Sequence, residues 1–223
     1  PVFKAKNKFF VLTGTRMAEP GKGKNATLGG FTGIEAKDKT SPASTINPYV
    51  LDSDLYTALK EGKEEGNLRI FIKDIAQYRE IYDADHVEGS ITCGKDADLK
   101  EFKATVIRLG TIKTSDAMMA QGGELLSDGT KRVYATTGFA VMVDLEDMEV
   151  NIADKVNDAF LKKFKFSAAD DIKGLQINDI TNAVLDPSEE NMEKLAKQME
   201  FGINHHNDLM RLSVGATKKF FSV

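Results

Sequence analysis

The stretch from Gly14 to Pro48 holds six glycines and three prolines but few large apolar side chains, so it cannot form a helix. An extended arm, a long loop or an irregular hairpin remains. A loop of that length inside a compact domain is either functional or ordered by a partner. The segment is also basic. Residues 1–46 carry eight Lys and Arg against three Asp and Glu, residues 47–150 twelve against twenty, and residues 151–223 ten against eleven. A basic extended arm on an acidic body suits a protein that packs against copies of itself, because complementary charge steers and registers such contacts.

The remainder of the chain predicts an α+β fold in a single domain spanning 1–223. An arm and first strand occupy 1–48, a mixed body 49–150 and a helical region 151–223. Phe9-Phe10-Val11-Leu12 is a short apolar run ended by Gly14 and reads as a strand. Asp52 or Ser53 caps a short helix through Leu55 and Leu59 that Gly62 or Gly66 stops. Residues 68–72 and 105–109 have strand character, and Ile75, Tyr78 and Ile81 recur at helical spacing after Asp74. Asp128-Gly129 marks a tight hairpin turn, and the run from Arg132 to Val143 reads as one or two strands, broken or bulged near Gly138. The expected sheet is therefore antiparallel, drawn from residues 9–144, with helices packed on it from 152 onward.

In that last region Ile152, Val156, Phe160 and Phe164 share one helical face, and Ile177, Ile180, Val184 and Leu185 suggest another short helix. Asp186-Pro187-Ser188-Glu189 is the sharpest local signal. It sets an N-cap Asp, a Pro at the first helical position and a Glu at the third. Met192, Leu195, Met199, Ile203 and Met210 continue the apolar period, with Gly202 as a kink or close-packing point.

Composition removes several function classes. With one cysteine, Cys93, the chain supports no internal disulfide and no multi-cysteine zinc site. Its apolar runs are too short for a membrane span or a signal-peptide core, and Pro1 fits removal of an initiator Met. A virion, or otherwise a cytoplasmic, location is expected. A pI near 5.5 disfavours nucleic acid as a partner except through the arm. The lack of Trp argues against a stacking platform for single strands.

The motifs that come closest to chemistry fail on spacing. Gly21 to Gly30 resembles a phosphate loop, but Asn25 stands after Gly23-Lys24 where a hydroxyl residue must reach the metal, and the dinucleotide glycines do not register. Asp83, Asp85, His86 and Glu88 are the densest group of potential metal ligands, yet Val87 and Glu88 occupy positions where a calcium loop requires other residues. The same string is similar to a rhodanese segment only superficially, since that family needs a nucleophilic Cys in a later loop and none follows Cys93. His205 and His206 are adjacent on a helix, about 100° apart, and cannot readily share one metal.

No catalytic, cofactor-binding or metal-binding residue is therefore assigned, and no cofactor is expected. A non-enzymatic structural protein that self-assembles, as a virus or phage head or tail component, ranks first. Its partners would be copies of itself and other particle proteins, with no membrane. Lys4, Lys6, Lys8, Arg16, Lys22 and Lys24 are the candidate assembly residues of the arm. The first alternative is an enzyme with a carboxylate and histidine site around Asp83–Glu88. The second is a nucleic-acid accessory protein that uses the same six basic residues.

Overall fold

The computed structural model describes residues 1–18, 21–29, 34–36, 49–51, 54–68, 70–72, 86–93, 100–113, 135–146, 158–168, 172–202 and 204–223. Its centre is an eight-stranded sheet. The strands are β1 (Val2–Ala5), β2 (Lys8–Arg16), β3 (Asn25–Ala26), β6 (Ile70–Ile72), β7 (His86–Cys93), β8 (Lys100–Lys113), β9 (Ala135–Asp144) and β10 (Ile172–Asp179). They lie in the order β10-β2-β1-β9-β8-β7-β6, with β3 pairing β2 beyond the end of β1. Strands β4 (Ile34–Ala36) and β5 (Tyr49–Leu51) form a separate antiparallel pair. The helices are α1 (Asp54–Gly66), α2 (Asp158–Lys163), α3 (Thr181–Leu185), α4 (Glu189–Met199) and α5 (Asn204–Phe221).

The chain is α+β, with its helices mostly in the C-terminal region. The sheet is mixed, however. Strand β1 runs parallel to β9, with Phe3 opposite Val143, while every other named pairing is antiparallel. The apolar run of β2 shows why the sheet is covered on both sides, since consecutive apolar residues on a strand point to opposite faces. Phe10 and Leu12 join one buried cluster with Phe3, Val141, Val143, Leu55, Phe160 and Phe164. Phe9 and Val11 join a second with Val2, Met142, Val184, Met192, Met199 and Met210. Helices α1 and α2 thus pack on one face and α3, α4 and α5 on the other. On the first face the Phe3 ring meets Phe160 edge-on at 5.1 Å and lies 5.5 Å from Phe164, which stacks on Phe166 at 5.2 Å.

Several expectations need correction. The first residues are not an arm: β1 and β2 form a hairpin inside the sheet, flanked by β9 and β10 and closed by a two-residue turn at Lys6 and Asn7. Ile177 lies in β10 and not in a helix; the helix is confined to Thr181–Leu185. A register shift between Lys173 and Leu175, where Gly174 has φ +63°, breaks the two-residue alternation and spaces Ile172 and Leu175 as a helix would. The apolar period through Met210 belongs to two helices. Glu200 turns left-handed at φ 48° and ends α4, and α5 starts at Asn204.

Other readings match. Helix α1 ends at Gly66, with Asn67 left-handed after it, its N–H returning to Lys63 O and that of Leu68 to Gly62 O. The run to Val143 is one strand where described, β9, unbroken at Gly138; the irregularity lies instead in the facing strand, where Leu109 is passed over between Arg108 and Gly110. Ser127–Thr130, Ile75–Tyr82, Ile152, Val156, Ile203, Asp52 and Ser53 lie outside the described residues.

Candidate functional site

The six basic residues fall into two groups at opposite ends of β2. Lys8 and Arg16 are eight residues apart on one strand, which separates the groups by about 26 Å. At one end, Lys4 Nζ donates to Asp144 Oδ2 at 2.9 Å and sits 5.2 Å from the Phe221 ring centroid. Lys6 occupies the turn, where its backbone N–H donates to Glu146 O, and Lys8 is exposed at the start of β2. At the other end stand Arg16, Lys22 and Lys24. Lys24 lies 3.9 Å from Glu200, and both side chains are exposed, so that pair adds little.

The second end is where the basic loop meets the helical layer, and several polar contacts converge there. Arg16 N–H donates to Lys24 O, closing the β2–β3 turn. Asn25 donates its side-chain amide to Met199 O, the last residue of α4, and accepts at its carbonyl from Gly202 N–H. Phe201 bridges Asn25 in parallel. Gly202 is required here: a Cβ at that position would stand 2.8 Å from Gly21 Cα and 2.9 Å from Lys24 Cβ. The expected close-packing point is therefore the place where the loop seats against the junction of α4 and α5.

The two histidines stand in the first turn of α5, with ring centroids 4.2 Å apart. His206 is buried, 5% exposed, and its Nδ1 lies 2.8 Å from Thr27 Oγ1 and 3.4 Å from Thr27 N. Because Thr27 N–H is a donor, Nδ1 accepts, and the neutral ring carries its proton on Nε2. That nitrogen and Arg16 Nε are buried without an acceptor. Burial holds His206 far below the usual imidazole range, at about 3, with positive charge from His205 and Arg16 acting in the same direction. His205 is also lowered, by burial and Arg16, with Asp208 opposing. The arrangement anchors the hairpin to the helices through neutral imidazole.

The alternative site is largely beyond view. Asp83 and Asp85 lie outside the described residues, and His86 and Glu88 are on β7, paired across to Ile107 and Thr105. Two features escaped the sequence reading. One is the buried carboxylate of Glu65 on α1, which accepts from Gly29 N–H at 2.7 Å and ties the loop to the other face of the sheet. The second is the exposure of large apolar side chains, Leu185, Leu212 and Phe220 on α3 and α5 at 51%, 40% and 42%, besides Met17 and Val223. Leu185 adjoins the last turns of α5, where Lys218 Nζ donates to its carbonyl at 3.1 Å. No helix among the described residues is long and apolar enough to cross a membrane. No family model, curated protein or solved structure matches this chain.

Proposed function

We propose that the chain is a non-enzymatic structural protein that assembles with copies of itself, as a head or tail subunit of a virus or phage particle. The observation that carries this reading is the exposure of large apolar side chains on α3 and α5, Leu185, Leu212 and Phe220. Contact with another subunit would take such side chains out of water. The charge asymmetry between the basic first 46 residues and the acidic middle of the chain adds a means of orienting subunits. The basic residues favour this reading over phosphate binding, because they are split between two ends of β2 and Lys4 and Lys24 face acids of their own chain. Electron microscopy of the purified protein at high concentration and low salt is the test. Rings, tubes or shells are expected. A monomer or a small closed oligomer would favour the enzyme reading.

A further inference from the structure

The outer face of α5 carries Asp208, Leu212, Gly215 and Lys219, spaced by four, three and four residues as on the seam of a helix packed along another helix. All four are exposed. Gly215 is the unusual member. It lies within an 18-residue helix, where glycine is the least favoured residue after proline, and a Cβ placed on it meets nothing within 4 Å. Packing within the subunit therefore does not call for a glycine there. A bare backbone there leaves room for close approach from outside.

We propose that this face is the seat of a second copy of the chain, α5 lying antiparallel on α5 about a two-fold axis. The inference rests on the assembly reading above and names one of its contact surfaces. With the axis between Ser213 and Val214, Leu212 of each copy meets Gly215 of the other, a large side chain over a bare backbone. In the same register Asp208 of each copy meets Lys219 of the other. A two-fold axis makes both contacts twice. A parallel pairing would instead oppose Asp208 to Asp208 and Lys219 to Lys219, so charge selects the antiparallel sense. No salt bridge among the described residues engages Asp208 or Lys219. Arg211, beside the seam, is held by Glu189 through two bonds of 2.7 and 3.0 Å.

The test is a charge swap on the full chain, followed by sedimentation equilibrium at low salt, with thermal melts to confirm that each variant is folded. Asp208→Lys and Lys219→Asp should each weaken association about tenfold, because each sets two like-charge pairs across the axis. The double variant should recover to within about threefold of the parent, and Gly215→Leu should block association. A parent that associates while all four variants match it would overturn the α5 seat and leave assembly to another surface. A double variant as weak as the singles would overturn the antiparallel register. A dimer that shows the swap but never grows beyond two copies would support the seat and overturn the particle reading. A parent that stays monomeric at every concentration overturns both.

Discussion

His206 shows how one side chain can tie the fold to pH. Its folded form stays neutral down to about 3, while an unfolded imidazole takes up a proton below its ordinary 6.5. The unfolded state then binds more protons in that window. Stability from this group is full above pH 6.5 and is lost as pH falls from there toward 3. Between pH 7 and pH 5 the loss should be about 2 kcal/mol, at about 1.4 kcal/mol per unit below 6.5. Urea unfolding of the parent and of His206→Asn at both pH values measures it, and the variant should lack this part of the slope. Gly215 gives the opposite prediction. Gly215→Ala should stabilise the unassociated subunit by about 0.5–1 kcal/mol, since the helix gains and no atom is in the way. Urea titration of dilute protein in high salt checks that value. Neither residue was legible in advance. The sequence shows two adjacent histidines, but only the fold brings Thr27 against one of them and leaves Gly215 facing outward.

At the scale of elements, strength of local signal and strength of local bonding part company. Asp186 is not the N-cap of α4. Ser188 holds that position without a side-chain cap bond, and Asp186 Oδ2 instead accepts from Ser188 Oγ and Asn191 Nδ2. Asp186→Ala should accordingly cost only about 0.5–1 kcal/mol, because both bonds are exposed. Met199→Ala should cost about 2–5 kcal/mol, as that side chain is fully buried between sheet and helices. Phe164→Ala on the other face should cost about 3–5 kcal/mol by opening the ring cluster around Phe3. Chemical denaturation of the three variants should place them in that order. Period and turn chemistry made β2, β8, β9 and α1 readable. They hid β1, whose turn has Lys6 at φ 53° where a glycine would have been the expected signal. They also hid β10, whose alternation the Gly174 bulge interrupts.

Over the whole molecule, the sequence reading recovered the α+β class but not the layering. An apolar run such as Phe9-Phe10-Val11-Leu12 shows that a strand is covered on both faces only once the helices are in place. Here α1 and α2 cover one face and α3 to α5 the other. The parallel pairing of β1 with β9 joins residues about 140 apart and leaves no local trace. The basic segment was legible as extended, yet its described part, through β2 and β3, is built into the sheet of its own subunit. The assembly proposed above would then use surfaces such as the exposed face of α5. Sedimentation velocity of the intact chain over a hundredfold range of concentration at low salt tests self-assembly most directly. A boundary that shifts to larger species as concentration rises, and back as salt is added, is the predicted result. A single monomer boundary throughout would contradict it.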